Sequence, residues 1–120
     1  MKIVKHQKNN IQIAEIISDE IIIHDTETAL DLLGNIYYQG FDKVILHEKN
    51  ITPSFFDLKT KVAGDILQKF AQYRMPIAII GAFSKYQSNS LNEFIYETNK
   101  TGYNYFAATR EEVLQNFCKE

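Results

Sequence analysis

Two short runs of alternating apolar and polar residues open the chain. Residues 2–6 and 11–17 read as strands, with Ile11, Ile13 and Ala14 as the inward candidates. Lys8-Asn9-Asn10 between them predicts a hairpin turn, because asparagine tolerates left-handed backbone angles. Ser18-Asp19-Glu20 breaks the run, and Ile21 to Ile23 predicts a third short strand. The period then changes. Ala29, Leu32, Leu33, Ile36 and Tyr37 fall on one helical face, with Asp25 or Thr26 as the cap and Gly40 as the stop. Lys43 to His47 is a continuous apolar run ending in a polar residue, which suits a strand buried on both faces. Thr52-Pro53 predicts a helical start with proline in its first position. A helix follows from about Thr60 to Tyr73, striped by Val62, Ala63, Ile66, Leu67, Phe70 and Ala71. Pro76 to Gly81 is the second buried strand. Ser90-Leu91-Asn92-Glu93 and Thr109-Arg110-Glu111-Glu112 have the spacing of capping boxes. They open helices striped by Leu91, Phe94, Ile95 and Thr98 and by Val113, Leu114 and Phe117, on either side of a last strand from Tyr103 to Ala107.

Strands alternating with helices from residue 25 onward imply parallel crossover units. The expectation is an α/β fold with a single mixed sheet, antiparallel at its N-terminal hairpin and parallel at its centre, with about four helices. No linker or repeat divides the 120 residues, so one domain is expected over 1–120. Composition adds a constraint on partners. Thirteen Lys and Arg against fifteen Asp and Glu give a formal net charge of −2, so no strongly basic field is available to capture nucleic acid. The seven tyrosines and eight phenylalanines fall mostly on the helix stripes and strands, where packing accounts for them. No run approaches the ~20 apolar residues of a membrane span, and the N-terminus turns polar too soon for a signal peptide. Cys118 is the one cysteine, which excludes an intrachain disulfide and suits a reducing compartment. Together these predict a cytoplasmic protein.

Ligands of open α/β sheets sit beyond the carboxyl ends of the parallel strands. That places candidate binding residues at His47 and Glu48 after the first buried strand and at Ser84 and Lys85 after the second. The segment from Thr52 to Thr60 joins them and supplies Phe55, Asp57, Lys59 and Thr60. Each has a plainer reading as well. His47 has no second histidine at ligand spacing, and His6 and His24 form no pattern with it, so a strand-end histidine held by a hydrogen bond explains it. Glu48 and Asp57 could be paired carboxylates, or a loop acid and a helix-start acid. Ser84 and Lys85 follow Gly81 without either phosphate-loop spacing. Phe55 and Phe56 are adjacent, so one is expected to cover the sheet and the other to lie at the surface. No nucleophile elbow, catalytic triad or Cys/His metal cluster is present, so no catalytic residue, metal or cofactor is assigned.

Several segments resemble a known family. They are Leu30 to Asn35, Tyr37-Tyr38, Phe55 to Thr60, Ala63 to Phe70 and Phe94 to Asn99. The resemblance is to the bacterial family known as domain of unknown function 4180, and it covers nearly the whole chain. It implies no activity. The order of elements is also similar to the domain of sulfate transporters and anti-sigma-factor antagonists, the STAS fold. There, a buried strand leads to an Asp-Ser-x-Gly helix start whose serine is a phosphorylation switch. Asp57 matches the acid, but Leu58 stands where the serine would be, and Ser54 and Thr60 are out of register.

The resemblance in topology implies a regulatory or protein-interaction module that presents the 48–60 loop and the following helix start to a protein partner. The alternative is a binder of a small anionic molecule, or an enzyme, using the cleft between 47–50 and 81–90. A homodimer through an edge strand or exposed helix is a third arrangement.

Overall fold

The computed structural model describes residues 1–117; Cys118 lies outside them. Strands β1 (Lys2–Lys8) and β2 (Ile11–Ile17) form the expected antiparallel hairpin. Asn9 and Asn10 both have positive φ, 53° and 68°, as a two-residue type I′ turn requires. Helix α1 (Thr26–Tyr38) leads to β3 (Lys43–His47), α2 (Val62–Gln72) to β4 (Ile77–Ile80), and α3 (Asn89–Thr101) to β5 (Tyr105–Ala107), before α4 (Arg110–Asn116). The five strands form one mixed sheet in chain order, β1-β2-β3-β4-β5, and every pair after the hairpin is parallel.

That order decides where the helices go. Each crossover steps to the next strand in the same direction, so crossovers of one hand put α1, α2 and α3 on one face. On that face Ala14, Ile16, Val44, Leu46, Ile77, Ile79 and Phe106 pack with Leu33, Ile36, Ile66, Phe70 and Leu91. The opposite face holds a smaller core, where Ile13, Ile45, Ala78, Ile80 and Ala107 meet Val113 and Phe117 around α4. Strand β2 is therefore buried on both faces, with Ile13 and Ala14 each at 0% exposure on opposite sides.

The caps explain most helix boundaries. Asp25 accepts from the Thr28 N–H while the Thr28 hydroxyl serves the backbone N–H of Asp25, a complete capping box. The Thr28 N–H and hydroxyl both donate to the Asp25 carboxylate and hold it below its ordinary range. Thr109 accepts from the Glu112 N–H to start α4. Gly40, at φ 88°, follows the end of α1.

Four local expectations are corrected. Residues 21–23 form only an isolated parallel bridge, Ile23 to Ile51, because Ile22 and Ile23 donate to the Asn50 carbonyl rather than to a neighbouring strand. Ser88, not Ser90, caps α3, since its hydroxyl accepts from the Leu91 N–H. Tyr37 lies outside the core, 57% exposed beside Tyr73, because Gln39 and Gly40 end the helix before the stripe closes over it. Phe55 and Phe56 are both buried, at 2% and 3% exposure. A tight 3₁₀ turn over Pro53–Phe56 crosses the end of the sheet here, and both rings find cover. Phe56 stacks on Tyr86 with centroids 5.3 Å apart, and Phe55 tilts against it at 5.0 Å.

Candidate functional site

The carboxyl ends of β3 and β4 lie side by side, and Glu48 joins them. Its carboxylate accepts from the Ala82 N–H at 3.2 Å, from the Tyr86 hydroxyl, and from Lys85 Nζ at 2.7 Å. Burial, and then the hydrogen bond to Glu48, push the Tyr86 hydroxyl above its ordinary range. Gly81 makes the approach possible. A Cβ there would sit 2.6 Å from both Cβ and Oε1 of Glu48. A shallow hollow of about 300 Å³ opens beside this joint, lined by His47, Glu48, Lys49, Ile80, Gly81, Ala82 and Ala108. A second, of about 200 Å³, lies between Ile21, Ile51, Pro53, Lys49, Lys85 and Tyr86.

His47 turns to the other face of the sheet and into a network that the order of residues along the chain hides. Glu15, at 0% exposure, lies between β1 and β3. Its Oε1 accepts from His6 Nε2 at 2.7 Å and Arg110 Nε at 2.7 Å. Its Oε2 accepts from His47 Nε2 at 2.8 Å and Arg110 Nη2 at 2.8 Å. Four elements thus meet on one carboxylate. Burial by itself would raise the Glu15 carboxyl; hydrogen bonds from Arg110, His6 and His47 and the Arg110 charge outweigh it and lower the group from 4.5 to about 2. The same pairing raises Arg110. The two imidazoles serve different oxygens, and the guanidinium spans both. Among the described residues no group of three or more His, Cys, Asp or Glu side chains is placed to hold a metal ion.

The remaining candidates fall on a ridge. Residues 53–60 form one-turn 3₁₀ helices over Pro53–Phe56 and Leu58–Thr60. The Thr60 hydroxyl closes the segment on itself, bonding the carbonyls of Ser54 at 2.7 Å and Asp57 at 2.8 Å. Asp57 accepts from the Lys59 N–H and, like Lys59 and Thr60, is exposed. Phe55, expected among the contacts, faces inward and cannot be offered to a partner. Ser84 and Lys85 are exposed in a 3₁₀ turn over Phe83–Lys85, and Lys85 reaches Glu48.

The structure thus brings His47, Glu48, Ser84 and Lys85 to one end of the sheet and leaves Asp57, Lys59 and Thr60 on the adjoining ridge. The sequence gives Glu15 and Arg110 no site role, and it shows no pattern joining His6 to His47, yet both histidines bond Glu15. One signal was available for His6 and Glu15. A two-residue turn at Asn9-Asn10 fixes the pairing Val4 with Glu15 and His6 with Ile13, which sets His6 and Glu15 diagonally on one face. Nothing comparable points to Arg110, which is 95 residues from Glu15.

Comparison with known proteins adds identity without chemistry. Residues 8–117 match the family described as Domain of unknown function (DUF4180), and the chain belongs to that family. No curated protein and no solved structure matches it. Among the described residues no helix is long and apolar enough to cross a membrane.

Proposed function

We propose that this member of the DUF4180 family is a regulatory or protein-interaction module of STAS-like form, docking a protein partner through the 53–61 ridge and the start of α2. The observation that carries the reading is the construction of the ridge. Two buried phenylalanines anchor it, the Thr60 hydroxyl locks its backbone, and Asp57, Lys59 and Lys61 are exposed on it. Lys61 has a φ of 66°, a conformation disfavoured for a side-chain-bearing residue and held here at the point where α2 begins. A preorganised backbone lowers the ordering cost of association. The competing reading, an anionic ligand seated between 47–50 and 81–90, has less support. The Glu48 carboxylate occupies the junction and already takes the Ala82 N–H.

The test places a photocrosslinking residue at Lys59 and, as control, at Lys100 on the exposed side of α3. A discrete adduct at 59 and none at 100 is expected. With the adduct's protein identified and purified, Lys59→Glu should weaken its Kd about tenfold or more without lowering Tm. Equal crosslinking from both positions, or an unchanged Kd, overturns the reading.

A further inference from the structure

We infer that His47 is a phosphoryl-acceptor site, taking the group on Nδ1 while Glu15 holds Nε2. Glu15 is an ionised carboxylate and accepts only, so Nε2 of His47 carries the hydrogen of their 2.8 Å bond. With that hydrogen on Nε2, the ring lone pair available to an electrophile lies on Nδ1, and the hydrogen bonds of the described residues reach His47 only through Nε2. This is the general arrangement of a nucleophile whose ring is oriented by a third group. The carboxylate is itself fixed by Arg110 and His6, so the ring has little freedom to turn.

The surroundings select the chemistry. His47 lines a hollow that is shallow and open, with no cavity to enclose a substrate for acid–base work. An acceptor needs only access for the donor. Lys49 lines the same hollow, and Arg110 is 45% exposed with its Nη2 sharing Glu15 Oε2 with His47. Cations suit a phosphoryl group, which arrives carrying negative charge. The nearby Glu48 carboxylate is already paired with Lys85. His6 shares Glu15 but lies on the edge strand and lines none of these hollows. His24, exposed and with no carboxylate hydrogen-bonded to its ring among the described residues, is a built-in reference.

With phosphoramidate as donor, the Nδ1 lone pair attacks phosphorus, the donor's P–N bond breaks and ammonia leaves. The Nδ1–P bond forms, the hydrogen stays on Nε2, and Glu15 offsets the ring's positive charge. This chemistry stands whether or not the ridge docks a partner.

The experiment treats the full chain with phosphoramidate near neutral pH and follows each histidine by mass spectrometry under alkaline conditions, with NMR to identify the nitrogen. His47 should be labelled on Nδ1 at least about tenfold faster than His24, and Glu15→Gln should reduce that ratio about tenfold. The wild-type ratio decides alone if the variant does not fold. Labelling of His24 or His6 at the rate of His47, labelling of His47 on Nε2, or an undiminished ratio in a folded Glu15→Gln protein overturns the inference.

Discussion

At Glu15, burial and charge are reconciled by four donors on two oxygens. An isolated carboxylate at 0% exposure would cost several kcal/mol. The depressed carboxyl value gives a signed prediction. A group lowered from 4.5 to about 2 in the folded state contributes stability that is complete above the unfolded value and lost as pH falls toward about 2. Glu15→Gln should therefore unfold more easily at pH 7, by on the order of 3 kcal/mol in urea. The difference from wild type should shrink as pH falls from about 4.5 to about 2; a gap independent of pH would refute the linkage. Gly81 makes a second residue-level case. Gly81→Ala drives its Cβ into Glu48, and a loss of about 1–3 kcal/mol is expected by thermal or urea unfolding. Neither role was legible in the sequence. Glu15 sits in a strand whose inner positions are otherwise apolar, and only the hairpin register places it near His6, while the need for glycine at 81 depends on a side chain from another loop.

Helix α4 shows how an element too short to persist alone is retained. Seven residues lie well below the ~12–15 an isolated helix needs. Val113 and Phe117 supply burial worth roughly 1.5–3 kcal/mol each. Arg110 ties its start to Glu15, and at its far end Lys8 and Lys43 donate to the carbonyls of Leu114 and Phe117. Thr109→Ala should cost about 1 kcal/mol through the lost cap, read as a drop in Tm. The opposite sign is expected in the hairpin. Asn10 has a φ of 68°, where glycine is unstrained, so Asn10→Gly should stabilise by a few tenths of a kcal/mol and raise Tm. These elements were readable because their signals are local: an Asn pair, a threonine cap, a stripe at helical spacing. The ends of α3 and the Ile21–Ile23 segment were not. Two serines compete for one cap, and three isoleucines read as a strand whether or not a partner edge exists.

Across the whole molecule, the strand order creates two unequal layers. Three helices cover one face and a single short one covers part of the other. Hydrogen exchange should find the α4 amides opening before those of β3 and β4; equal protection would show one indivisible unit. The alternation of strands and helices made this architecture legible, but not the division of helices between faces, which depends on the order in which strands pair. Chain order in the sheet has a consequence for synthesis. Each strand can add to an edge already made as the polypeptide emerges, with no later strand to be threaded between earlier ones. Glu15 runs against that schedule, as Lys8 and Lys43 do. It enters the sheet with the second strand, yet its guanidinium partner is made 95 residues later. Until then the half-built protein carries a carboxylate attended only by histidines, and the arrival of Arg110 ties α4 back to the opening hairpin.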